Sequence, residues 1–93
     1  MTKKDIVIEV AQRPELSQLT QVEIKSVIQS TMDYLIESLA NGETIELRNF
    51  GVFKVRIRKG RMARNPRTGQ KVAVSDKKVV VFKPGLIMKK KIK

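Results

Sequence analysis

The sequence predicts an α+β domain: two helices, a three-stranded antiparallel sheet bearing a long β-ribbon arm, and a short C-terminal helix. Three observations predict it. Apolar residues recur every three to four positions up to about residue 40 and alternate every second position after it. Asn41-Gly42 marks the change, as a left-handed helix terminus would. The stretch "RMARNPRTGQK", Arg61 to Lys71, then interrupts the strand pattern with a proline, many cations and almost no core residue. Helices packed on one side of an antiparallel sheet form one domain, and 93 residues suit a single one. Residues 1–42 are its helical base, and 43–93 hold the sheet, an arm over about 59–75 and the last helix.

Each element has a local cause. Thr2 and Asp5 stand in capping-box spacing, and Ile6, Val7, Val10 and Ala11 share the face that follows. This predicts a first helix to about Gln12, stopped by Pro14, with Arg13–Leu19 as a connector. Thr20 and Glu23 repeat the cap. Ile24, Val27, Ile28, Met32, Leu35, Ile36 and Leu39 then define an amphipathic helix of about twenty residues, roughly 30 Å long.

"ETIELRNF" (43–50) alternates imperfectly as a first strand, and Gly51 suits a tight turn after it. "VFKVRIRK" (52–59) alternates cleanly, with Phe53, Val55 and Ile57 on one face and Lys54, Arg56 and Arg58 on the other. "KKVVVFK" (77–83) is the third strand. Pro84-Gly85 closes it, and "LIMKKKIK" (86–93) reads as a short basic helix with Pro84 near its start.

Charge is sorted along the chain. Residues 1–47 hold four Lys/Arg against eight Asp/Glu, whereas residues 48–93 hold sixteen against one, within a net charge of +11. A mixed, solvated surface would not segregate in this way, so the second half is expected to meet a polyanion. The absence of cysteine excludes disulfide and thiolate chemistry. The sequence holds no histidine, no Walker-type phosphate loop and no carboxylates at metal-ligand spacing, so no catalytic residue, metal, cofactor or small-molecule substrate is expected. No apolar run has the length of a signal peptide or a membrane span, and a cytoplasmic protein is expected.

The arm carries the functional expectation. In "NPRTG" Asn65 opens a turn, Pro66 fixes φ at its second position and Gly69 tolerates positive φ. With Val72 and Val74 alternating beyond it, the simplest shape is a two-stranded ribbon. Seven or so residues per strand would reach roughly 24 Å. Such a hairpin is marginal alone. Arg61, Arg64, Arg67 and Lys71 repel one another, which favours disorder until an anion neutralises them. A ribbon fits a DNA groove. Arg and Asn suit the minor groove, where a rigid apolar residue such as proline can enter between base steps and kink the duplex.

Taken in order, the capped helix pair, "NFGVF" (49–53), "RNPRTG" (64–69) and "FKPG" (82–85) resemble the bacterial histone-like DNA-binding family of HU and integration host factor. The resemblance spans nearly the whole chain and implies an intertwined, nucleoid-associated dimer whose two arms wrap double-stranded DNA through the minor groove. It leaves open a homodimer or a heterodimer with a paralogue. It implies Pro66 as the intercalating tip, with Arg64, Asn65 and Arg67 around it in the groove. Arg56, Arg58 and Arg61 would contact backbone along the arm, with Lys59 and Lys71 beside them, and Phe50, Phe53 and Phe82 would fill the dimer core. Lys3, Lys89 and Lys90 would meet the DNA that continues along the flank. The chain departs from the family at Asn49 and Ala63, where glycine is usual. It departs also at Leu86, where a polar residue is common, and in a longer connector between the first helices.

The expected function is architectural: binding duplex DNA with low sequence preference and bending it. One alternative is a sequence-preferring integration-host-factor-like subunit; a further one is a duplex-RNA-binding protein. Single-strand readers stack bases on aromatic rings, and four aromatic residues make that unsuitable. Membrane attachment through "LIMKKKIK" would rest on too little apolar area.

Overall fold

Residues 1–92 are described by the computed structural model. In chain order they form α1 (Lys3–Ala11), a single 3₁₀ turn (Pro14–Leu16), α2 (Gln21–Ala40), β1 (Ile45–Leu47), β2 (Gly51–Arg58), β3 (Arg61–Arg64), β4 (Lys71–Val74), β5 (Lys77–Pro84) and α3 (Leu86–Lys91). Two compact units divide the chain, Met1–Glu37 and Ser38–Lys93.

In the first unit both helices begin on reciprocal caps. The Thr2 N–H donates to the Asp5 carboxylate at 2.8 Å while the Asp5 N–H donates to Thr2 Oγ1. Thr20 and Glu23 repeat this at 3.0 and 3.1 Å. The N–H of Thr20 bonded to the Glu23 carboxylate holds that group below its ordinary pKa. Pro14 ends the first helical stretch, as expected, but Gln12 is a C-cap and the connector carries its own helical turn. Val7 of α1 and Ile24 of α2 are the buried hydrophobic residues.

The second unit starts at the end of α2, where a Schellman motif forms. Gly42 has φ +83°, its N–H donates to Leu39 O at 2.9 Å, and the Glu43 N–H donates to Ser38 O at 3.0 Å. The three-stranded sheet has the order β1-β2-β5, antiparallel throughout, and β3 pairs with β4 as a separate two-stranded ribbon. Facing pairs such as Phe53↔Phe82, Val55↔Val80 and Ile57↔Lys78 place Phe53, Val55 and Ile57 of β2 on one face, as the alternation requires.

Several boundaries differ from expectation, each for a physical reason. The first strand is three residues long because Arg48–Phe50 form the turn to β2, closed by Phe50 N–H to Leu47 O at 3.0 Å. Positive φ falls on Asn49 (+66°) and not on Gly51. Asparagine is among the few side-chain-bearing residues that adopt this conformation readily, so the departure from glycine at position 49 keeps the turn. Gly51 is instead the buried first residue of β2, where a Cβ would lie 2.5 Å from the Phe82 ring and 2.6 Å from Lys83 O. Pro84 ends β5, and Gly85 is the N-cap of α3. That helix stops at Lys91; Lys93, included in the expected helix, lies outside the described residues.

Candidate nucleic-acid interface

The two faces of the sheet have opposite chemistry. On the first, Phe53 and Phe82 meet at a tilt with ring centroids 4.7 Å apart, and Phe50 lies 5.6 Å from Phe82, so the three phenylalanines form one cluster. The cluster stays open: Phe50 is 47% and Phe82 37% exposed, and Val80 and Ile57 beside them are 59% and 63% exposed.

The second face is cationic. The register puts Lys54, Arg56 and Arg58 of β2 with Lys83 and Lys77 of β5, spaced by Val79 and Val81. Arg58 stands directly opposite Lys77, and like charges in that position destabilise a sheet. At the other end of the face the neighbouring Lys54 ammonium, with Arg56 and Lys89 adding to it, holds the Lys83 ammonium below its ordinary pKa. Lys54, Lys77 and Lys83 were not among the residues singled out from the sequence. The signal for Lys54 was present in its alternation with Arg56. Lys77 and Lys83 required the β2–β5 register.

The arm repeats the pattern. Its register pairs Arg64 with Lys71 on one face and Arg61 with Val74 on the other, with Met62↔Ala73 and Ala63↔Val72 between them. Ala63, which replaces a usual glycine, is an ordinary β3 residue. Four residues per strand make the paired part shorter than expected, roughly 13 Å. The cations do not prevent pairing, because the tip supplies local bonds. Asn65 N–H donates to Gln70 O and Gly69 N–H to Asn65 O, both at 2.7 Å. Asn65 Oδ1 accepts the Arg67 N–H at 2.9 Å as an Asx-turn, and Thr68 Oγ1 accepts the Gln70 N–H. Gly69 supplies the positive φ, +72°. Pro66, Arg67 and Thr68 are exposed at this tip.

Lys59 lies where β2 gives way to β3, in a pocket of about 350 Å³ that also includes Arg58, Arg61 and Lys77. Lys89 and Lys90 lie exposed in the last turn of α3. Lys3, in the first unit, opens α1, and its ammonium donates to the Gln29 side chain.

Among the described residues no helix is long and apolar enough to cross a membrane, and no cluster of three or more His, Cys, Asp or Glu could hold a metal.

The family model for bacterial DNA-binding proteins matches residues 1–93. The integration host factor subunit beta of Teredinibacter turnerae is 37% identical over 92 residues, 99% of this chain and 92% of that protein. The subunit alpha of Caulobacter vibrioides is 38% identical over 74 residues, 80% of this chain and 74% of that protein. Among solved structures, Anabaena HU crystallised with DNA superposes with a TM-score of 0.87 at 29% identity, covering 99% of this chain and 97% of that one. A mutant HU of Thermotoga maritima superposes at 0.70, also 29% identical, over the full length of both chains. The opposed sheet faces, the proline-tipped ribbon and these matches lead to one conclusion: the chain belongs to the bacterial DNA-binding protein family of HU and the integration host factor subunits.

Proposed function

We propose that the chain is one subunit of an architectural DNA-binding dimer whose arms enter the minor groove and bend the duplex. The observation that carries this reading is the set of cations that face one another across the strands, Arg58↔Lys77 in the sheet and Arg64↔Lys71 in the ribbon. A protein gains nothing from facing like charges across a ladder unless an anion relieves them. A phosphate backbone does so while releasing its condensed counterions. Arg56, Arg58, Arg61, Lys59 and Lys71 contact phosphates in this reading, with Arg64, Asn65 and Arg67 around Pro66 in the groove. Lys54, Lys77 and Lys83 extend the phosphate track, and Lys3, Lys89 and Lys90 meet the DNA as it leaves the body. Minor-groove insertion is carried over from HU and integration host factor, which are themselves its standing examples.

Dimerisation is supported by the open apolar face. Phe50, Phe82, Ile57 and Val80 stay substantially exposed in one chain, and contiguous exposed apolar surface marks an interface. The similarity to both alpha and beta integration host factor subunits supports pairing with a paralogue as a second reading beside the homodimer. Placement at the nucleoid, in the cytoplasm, follows from the DNA partner.

Light scattering of the pure chain, combined with a circular-permutation bending assay on random and nicked duplexes, tests the proposal. A dimer that bends both substrates is expected, and Pro66→Ala is expected to reduce the bend more than the affinity. Equal bending by the variant or preference for duplex RNA would overturn it, and a monomer would remove the homodimer in favour of pairing with a paralogue.

A further inference from the structure

The ribbon keeps one register through its base while its ladder is interrupted there. Arg58 faces Lys77 and Arg61 faces Val74, so Lys59 and Gly60 stand level with Asp76 and Ser75, and no residue is inserted on either side. At this level the Gly60 N–H donates to the side-chain carboxylate of Asp76. A side chain thus stands in where a ladder carbonyl would accept. The two backbones also approach unusually closely, since a Cβ on Gly60 would land on the Val74 carbonyl oxygen and lie 3.0 Å from the Ser75 carbonyl carbon. Gly60 needs its missing side chain for proximity, not for a positive φ.

Asp76 is the only acidic residue in 48–93. Its setting is cationic: its chain neighbours Ser75 and Lys77 line the pocket at the base of the arm together with Arg58, Lys59 and Arg61. For a protein that binds a polyanion, a carboxylate here subtracts from the attraction. Its contribution must then be geometric: a charge-assisted bond to Gly60 at the point where the sheet becomes the arm.

We infer that Asp76 is a positioning residue that fixes the direction of the arm at its base by holding Gly60, so that the tip meets the duplex at a set angle. The inference rests on the arm being the DNA-binding element, and its test separates the two. Amide hydrogen exchange at Gly60 in the free protein reports the latch with no DNA present. Bend angle by end-to-end fluorescence transfer on a nicked duplex reports its consequence, and affinity on the same duplex reports charge.

In Asp76→Ala, Gly60 exchange accelerates about tenfold and the mean bend falls, while affinity holds or rises because a negative charge has left. Asp76→Asn keeps an acceptor oxygen and restores both exchange and bend. Gly60→Ala forces the strands apart with the carboxylate charge retained, and loses bend as Asp76→Ala does. Unchanged Gly60 exchange in Asp76→Ala overturns the latch, whether or not the wild type bends DNA. Equal tightening by Asp76→Asn and Asp76→Ala with no change in bend assigns the residue to charge alone and overturns the positioning role. If the wild type leaves DNA straight, it is the reading of the arm that fails, and Gly60 exchange still decides the latch.

Discussion

Replacing the opposed pair Arg64 and Lys71 with glutamine tests the electrostatic reading quantitatively. Each arm carries Arg61, Arg64, Arg67 and Lys71, which gives eight cations in a two-armed dimer. If each neutralises one phosphate, the arms contribute about −7 to the slope of log affinity against log salt, and about 10⁴-fold of the fall in affinity between about 50 and 200 mM salt. The double variant removes four of the eight. Its slope should be shallower than the wild type's by about 3.6, and the same change of salt should cost about 10²-fold less. The free arm should not suffer, since Arg64 and Lys71 stand directly opposite and their repulsion opposes pairing. Fluorescence anisotropy titrations at four or five salt concentrations measure both slopes, with Arg13→Gln in the connector as the control. A variant whose slope matches the wild type, with its arm still folded by amide exchange, would show that these two cations do not meet phosphate. The reading of the ribbon as a groove-binding element would then fail.

Two further outcomes follow from the sheet. Gly51→Ala should destabilise the fold by about 1–3 kcal/mol: its Cβ meets the Phe82 ring, which can turn, and the Lys83 carbonyl oxygen, which cannot. Chemical denaturation at fixed protein concentration checks this, and a neutral substitution would mean that β2 and β5 are not so close at this rung. Lys83 should titrate below the ordinary lysine value in the free protein, because Lys54 chiefly, with Arg56 and Lys89, disfavours its charged form. A folded pKa below the unfolded one means that the crowding opposes folding at neutral pH and fades as pH rises through the folded value. Bound phosphate reverses the cause, so duplex DNA should raise the Lys83 midpoint, and Lys54→Gln should restore it without DNA. NMR titration of the lysine ammonium signals reads both, and a midpoint indifferent to Lys54→Gln would remove the proposed crowding.

How far the sequence revealed this molecule depends on how local each cause is. The helix pair was legible because Thr2/Asp5 and Thr20/Glu23 cap within four residues and Gly42 ends α2 by its own backbone freedom. The faces of β2 were legible because strand alternation is local too. Gly51 misled, since positive φ and close approach both select glycine, and only the Phe82 ring across the sheet tells them apart. The arm's length was overread because nothing local in the sequence shows the ladder breaking at Lys59–Gly60, where the distant Asp76 carboxylate takes the Gly60 N–H. Lys77, Lys83 and Asp76 stayed hidden for a shared reason. Each acquires its meaning from a residue at least 16 positions away in the chain, respectively Arg58, Lys54 and Gly60.

On the proposed function, the single alternation in β2 serves two partners at once, and this constrains the chain more tightly than either partner would. Phe53, Val55 and Ile57 give one face an apolar surface for a second subunit, while Lys54, Arg56 and Arg58 give the other a track for phosphate. Side chains alternate with a period of two, so a slip of one residue between β2 and β5 would exchange the faces. Cations would then face the apolar interface and phenylalanines the polyanion, each an unfavourable burial or exposure. The register is therefore fixed twice over, and the Phe53–Phe82 contact at 4.7 Å is its anchor. Beyond it the pairing sum is kept across the elbow, from Arg58↔Lys77 to Arg61↔Val74, although the ladder itself is broken there. Substitutions that loosen the Phe53–Phe82 pair, such as Phe82→Ala, should disturb DNA binding without touching a cation, by letting the β2–β5 register slip and the sheet lose the cationic face it presents.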